Sequence, residues 1–174
     1  MMYMKDFIIK LCLCIFIINY IPNFIFGKSS SPFSNGKSSV QLEKKYNYNS
    51  VSPDSVVVIK STGIELSYDK TEIHAKAGDI LLIRYINESD MNHNFALVRE
   101  EQDIRPVGVA ALQAVSNDWI PEKEMNRIIA YSELAHSGDT VEVSFKVPPP
   151  GTYPYICTYS AHWTQMQGRL ISKE

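Results

Sequence analysis

TVEVSFKVPPPGTYPYICTYSAHWTQM, residues 140–166, contains both the pattern that decides the fold and the side chains that decide the chemistry. Its first half alternates. Val141, Val143, Phe145 and Val147 fall on one face and Glu142, Ser144 and Lys146 on the other, the period of a half-buried strand. Pro148, Pro149 and Pro150 then stop the strand, since proline has no ladder donor, and Gly151 is expected to take an unusual dihedral in the turn. A second β-rich run, YPYICTY, follows immediately.

The same texture extends outward. VVVIKS, IELSYD, EIHAKAG, DILLIRYINE, HNFALVRE and GRLISK are short runs rich in β-branched and aromatic residues, separated by Gly, Pro, Asp and Asn. This is the signature of an all-β sandwich or barrel. DILLIRYINE alternates only in part, so it reads as a strand with much of both faces covered. One segment departs from the pattern. PVGVAALQAV places Ala110, Ala111, Ala114 and Val115 at helical spacing, which predicts a short helix over 107–115, with Pro121 barring continuation. There is no internal repeat.

The 174 residues suffice for one domain with a core plus a tail. A net charge of −2 and a pI near 6.1 give no electrostatic footprint for nucleic acid. The N-terminus has the layout of a secretory signal: Lys5, an apolar run from Leu11 to Ile18, then Asn19, Pro22 and Asn23, with Gly27 as the small residue before a cleavage point. The uninterrupted run is shorter than the roughly 20 residues of a membrane span, but hydrophobicity resumes through Phe26, so an uncleaved anchor is the alternative. The leucines before Cys12 and Cys14 argue against a lipoprotein cysteine. Residues 28–55, rich in Ser, Asn, Lys and Pro, read as a flexible tether. The expected organisation is therefore 1–27 signal or anchor, 28–55 linker, and 56–174 folded domain. Cys157 is the only cysteine of that domain, so no internal disulfide can hold it.

Cys157, His162 and Met166 share one short loop. Taken singly, each has an ordinary reading: a buried small hydrophobe, a satisfied histidine, a filler of core gaps. Together they match three of the four positions of a type 1 copper site, in which two imidazoles and a thiolate lie in a plane and a methionine sulfur is the weak axial ligand. His93, in MNHNFALV before a strand-like alternation, is the natural fourth. His74, in a strand-like run, and His136, beside Ser137-Gly138-Asp139, are left out. Zinc would need a fourth hard or thiolate ligand, and methionine is a poor one. A nucleophilic cysteine paired with His93 or His162 would lack an oxyanion donor in the apolar YPYICTYSAHW.

NHNF at 92–95, RIIAYSEL at 127–134, SGDTVEVSF at 137–145, PGTYPYICTYSAHW at 150–163 and MQGRL at 166–170 resemble the cupredoxins, specifically the azurin and auracyanin branch. The resemblance spans the chain from near Val56 to the end. It implies an eight-stranded Greek-key β-sandwich with a helical flap, and one copper ion held by His93, Cys157, His162 and Met166. It further implies that Asn94 bridges the two ligand loops near the thiolate, with Thr158 as its hydroxyl partner. Three departures stand out: Asn92 replaces a glycine, Ser160-Ala161 replaces a Pro-Gly pair, and the azurin disulfide is missing.

The function implied is that of an exported one-electron carrier, not an enzyme, in the periplasm or on the outer face of the cytoplasmic membrane. Its electron port would be an apolar patch of Trp163, Ala161 and Pro149 around the second histidine. Its partners would be redox proteins such as a cytochrome or respiratory complex, met transiently by a monomer. The rival readings are copper delivery, storage or tolerance, and a metal-free binding module. Beyond the signal region only Met91, Met125 and Met166 occur, without the clustering that copper handling would favour.

Overall fold

The computed structural model describes residues 52–174; the expected signal, and the expected linker up to residue 51, lie outside them. Eight strands form two sheets. β1 (Ser55–Gly63), β3 (Ile80–Ser89) and β6 (Thr140–Lys146) make a three-stranded sheet in the order β1-β3-β6. β2 (Glu72–Lys76), β8 (Gln167–Lys173), β7 (Gly151–Ile156), β4 (Ala96–Val98) and β5 (Ile128–Tyr131) make the second, in that order. β1 runs parallel to β3 and β2 parallel to β8, while the other pairings are antiparallel.

The alternation read in the sequence determines which faces meet. Leu81, Ile83 and Tyr85 of β3 and Phe145 of β6 bury one face, opposite Ile73, Leu97, Tyr155 and Leu170 of the second sheet. Leu81 and Ile83 are buried almost completely, and each such aliphatic side chain contributes about 1.5–3 kcal/mol. The other face of β3 is partly covered, as its incomplete alternation suggested: Ile80, Leu82 and Ile86 are half-buried, and Arg84 is exposed, where it pairs with Glu142 of β6. Tyr155 fits because Gly168 faces it across β7–β8, and any Cβ there would overlap the phenol ring.

Three local expectations are corrected. IELSYD is not a strand. It is a loop, because Tyr68 turns inward to pack edge-on against Tyr85 and Tyr155 and donates its hydroxyl to the Asn94 carbonyl at 2.6 Å. The helix, α1, spans Ile104–Ala111, three residues earlier than expected at its start. Its buried residues Ile104, Val107, Gly108 and Ala111 recur at helical spacing and face Val98, Ile120, Ile128 and Ile156. Pro106 is accommodated in the first turn, where backbone N–H groups lack partners anyway. Val115, counted into the predicted helix, stands 58% exposed in a separate 3-10 turn, Val115–Asn117. Finally, Gly151 does not take a left-handed dihedral; it opens β7 in ordinary extended geometry.

The segment from Arg99 to Arg127 forms the flap. Its end is pinned to its start by Arg127, which donates to the buried Asp103 at 2.5 Å and to Glu124 at 2.7 Å. Among the described residues no helix is long and apolar enough to cross a membrane.

Candidate metal centre

The site forms where β7 ends and the loop after β3 returns. β7 stops at Ile156, and Cys157 begins the loop that leads through a short 3-10 turn (His162–Thr164) to β8. Two backbone bonds close this loop tightly: Met166 N–H donates to the His162 carbonyl at 2.7 Å, and Cys157 N–H to the Met166 carbonyl at 3.1 Å. Ser160 bends it with a left-handed backbone, φ 52°, whereas Ala161 has φ −100°.

His93 sits outside the named strands and is clamped by a bridge to Ala135. Its N–H donates to the Ala135 carbonyl at 3.0 Å, and Ala135 N–H returns to the His93 carbonyl at 2.8 Å. A buried polar cluster supports that clamp. Asn87 Nδ2 donates to the carbonyls of Met91 (2.7 Å) and Ala135 (2.9 Å), while Asn87 Oδ1 accepts from Ser89 Oγ and Ser61 Oγ. Sequence reasoning missed Asn87. Nothing in DILLIRYINE marks an asparagine that serves a loop six residues on.

His93, Cys157 and His162 are brought together and buried. Cys157 Sγ lies 3.6 Å from His93 Nδ1 and 3.7 Å from His162 Nδ1, and the two Nδ1 atoms are 3.1 Å apart. A point equidistant from the three atoms lies about 2.0 Å from each, close to metal–imidazole and metal–thiolate bond lengths of about 2.0–2.1 and 2.3 Å. Met166 is fully buried in the same core cluster as Cys157. His74 and His136 lie elsewhere and exposed, the first beside Glu72 at 2.6 Å, the second beside Asn92 Oδ1 at 3.1 Å. The Asn92 side chain is thus occupied with His136.

Electrostatics favour neutral donors. Burial, and then the neighbouring His162, lower the His93 pKa to about 4, and burial lowers that of His162. Both imidazoles therefore stay unprotonated and ready to coordinate at neutral pH. Burial pushes the Cys157 thiol up to about 12, against the opposing effect of N–H groups from the Asn94 and Tyr159 backbones. A bound cation reverses that preference, since a coordinating thiol is deprotonated outright. A metal bound at Nδ1 would leave the proton of each neutral ring on Nε2. In His93 that atom is buried without a partner, so the ring is oriented by its backbone clamp rather than by an outer acceptor.

The predicted bridge between the ligand loops is present. Thr158 N–H donates to Asn94 Oδ1 at 2.8 Å, and Asn94 Nδ2 donates to Thr158 Oγ1 at 2.8 Å. Asn94 Nδ2 also reaches the Asp118 carbonyl in the flap at 3.3 Å, a contact the sequence did not suggest.

The expected apolar patch is not contiguous. Ala161 is exposed beside His162, which is 8% exposed, and Trp163 is half-buried with its indole against Gly108 of α1. Pro149 does not belong with them. It lies before β7, at the end of the sheet opposite Cys157, where its carbonyl accepts from Tyr153. Six strand residues at about 3.3 Å each separate the two ends.

The donor set fits copper. Two imidazoles, a thiolate and a thioether sulfur in an apolar setting are the type 1 arrangement, and among the described residues no carboxylate joins the cluster as a hard ligand would for zinc.

Known proteins agree with this geometry. A family described as copper binding proteins, plastocyanin/azurin family, matches residues 55–173. Auracyanin-A of Chloroflexus aurantiacus is 42% identical over 120 residues, covering 66% of this chain and 72% of the relative. Its solved structure, described as a "blue" copper protein, superposes with a TM-score of 0.64 at 40% identity, covering 68% of this chain and 98% of that one. The structure of dithionite-reduced auracyanin from Roseiflexus castenholzii gives a TM-score of 0.65 at 30% identity over 69% of this chain and 97% of its own. With its His-Cys-His-Met arrangement and a match across the whole described fold, this chain belongs to the plastocyanin/azurin family of copper-binding proteins.

Proposed function

We propose that this chain is a one-electron carrier, cycling a single type 1 copper between Cu(I) and Cu(II) outside the cytoplasmic membrane and transforming no substrate. The observation that carries the reading is the convergence of three donor atoms held by the protein's own hydrogen bonds. Because the donors already lie at coordinating distance, little has to move when the charge on the metal changes, and small rearrangement makes transfer fast. Export is supported by the signal-like N-terminus, and the Ser/Asn-rich stretch after it suits a tether that lets the domain reach a partner.

Electrons would enter or leave at the His162 edge. Ala161 lies beside it, and Val109 on the helix against which Trp163 packs and Leu112 at its C-cap stand exposed. A small apolar face of this kind suits brief encounters with a cytochrome or respiratory complex, since weak redox complexes bury little area.

A visible absorption spectrum of residues 28–174 loaded with Cu(II), before and after ascorbate, tests the proposal. An intense blue band that bleaches reversibly is expected. A colourless protein that binds copper tightly, or one that binds none, would overturn it in favour of copper handling or a metal-free module.

A further inference from the structure

His162 is the start of a line of aromatic contacts. Tyr159 meets its ring edge-on, with centroids 5.1 Å apart and planes at 67°. Trp119 meets Tyr159 in the same manner, at 5.1 Å and 62°. Trp119 belongs to the flap and is half-buried, so the line runs from a metal-binding imidazole to the protein surface.

Placing Trp119 there strains the backbone. Asp118 and Trp119 are consecutive non-glycine residues with left-handed dihedrals, φ 50° and 63°. Two such residues in succession are uncommon away from glycine. The conformation is fixed from several sides: Asn94 Nδ2 holds the Asp118 carbonyl, Trp119 N–H donates to the Ala114 carbonyl at 2.9 Å, and Asn117 Nδ2 holds the Ile120 carbonyl at 2.6 Å. Strain that the surroundings over-determine beside a functional site points to a role for the residue so placed.

We infer that Trp119 is a second electron port, coupled to the site through Tyr159 and His162 and lying on the flap beside the His162 edge. The inference rests on the electron-carrier reading above. One electron crosses per encounter: the partner docked at Trp119 gains it and the site loses it, or the reverse. It tunnels through the two rings, neither ring is itself oxidised, and no proton moves.

The test uses the full chain with Cys12 and Cys14 replaced by serine and a ruthenium photoreductant on a cysteine introduced at the exposed Ser116, loaded with copper so that Cys157 is protected. A matched label at Pro149, at the far end of the sheet, is the control. Trp119→Leu should slow transfer from position 116 several-fold, Trp119→Phe should restore most of it, and the control rate should not change. The blue band should be unaltered in both variants, because Trp119 touches no ligand. In the metal-free protein, nuclear Overhauser contacts should link Trp119 to Tyr159 and Tyr159 to His162. An undiminished rate in Trp119→Leu, equal slowing from both labels, or absence of those contacts would overturn the port. Loss of the blue band in the parent chain would instead overturn the carrier reading itself.

Discussion

Asn94→Ala is the substitution that probes the construction of the site most directly. The Asn94 amide is fully buried and serves three groups: Thr158 N–H at 2.8 Å, Thr158 Oγ1 at 2.8 Å, and the Asp118 carbonyl at 3.3 Å. Alanine leaves the Thr158 N–H without a partner in a region closed to water, and an orphaned buried donor costs about 1–3 kcal/mol. The Asp118 contact is long and contributes less, but losing it frees a strained turn. The expected loss is about 2–4 kcal/mol in all, or a fall in melting temperature of roughly 4 °C per kcal/mol for a domain of this size. Urea unfolding of the metal-free protein, followed by tryptophan fluorescence and circular dichroism, measures it. Thr158→Val is the internal control. It removes the hydroxyl yet keeps the backbone N–H bonded to Asn94, so its cost should be about 1 kcal/mol. Reloaded with copper, Asn94→Ala should also show a shifted blue band, because the bridge holds Thr158, the residue directly after Cys157. A loss below about 0.5 kcal/mol, the level of an ordinary surface substitution, would refute the bridge as the element that joins the loops.

Three further outcomes are expected. In the metal-free protein His93, lowered from 6.5 to about 4, favours its neutral form on folding, so its contribution is fully present above pH 6.5 and is lost as pH falls through 4, roughly 3 kcal/mol in total. Cys157, raised to about 12, contributes the opposite way, fully below about pH 9 and progressively lost above it, so urea midpoints measured from pH 4 to 10 should decline at both ends. Gly108→Ala should destabilise by about 1–2 kcal/mol despite a gain in helix propensity, since the added Cβ overlaps the Trp163 indole, and a shift in tryptophan emission should report the displacement. Ser160→Gly should stabilise by up to about 1 kcal/mol in thermal unfolding, because only Ser160 in the ligand loop carries a left-handed φ; unchanged or lower stability would show the turn to be unstrained.

What the sequence revealed and what it hid divide along a physical line. The ligands were legible because chemistry demands particular residue types, and Cys157, His162 and Met166 keep a fixed spacing within one loop. The strands of the core were legible because β6 alternates with the pleat, Phe145 and Val147 inward and Glu142 and Lys146 outward. IELSYD deceived because its composition is strand-like, while its fate depends on Tyr68 finding a carbonyl 26 residues away. The helix was misplaced because the alanine spacing of 110–115 outweighed the apolar repeat that begins at Ile104. Pro149 was drawn into the patch by its nearness in sequence, yet a strand of six residues carries it to the other end of the sheet. Asn87 and Trp119 matter only through partners that tertiary structure supplies, and no local pattern marks such residues.

The geometry of Asn94 ties these parts into one mechanical unit. Its Oδ1 holds the residue after the cysteine, and its Nδ2 holds the flap turn that carries Trp119. His93, one residue earlier, is fixed independently by Ala135 and Asn87. This places two imidazole nitrogens 3.1 Å apart beside a thiol, a close grouping of donors. The clamp on one side and the asparagine bridge on the other keep it closed. A change that shifts the Asp118 carbonyl should therefore reach the Cys157 side through Asn94 and leave the His93 side in place, whereas one confined to the Trp119 side chain should reach neither. The Cys157 side of the site and the flap turn thus converge on a single amide, separate from the Met166 loop closure and the His93 clamp.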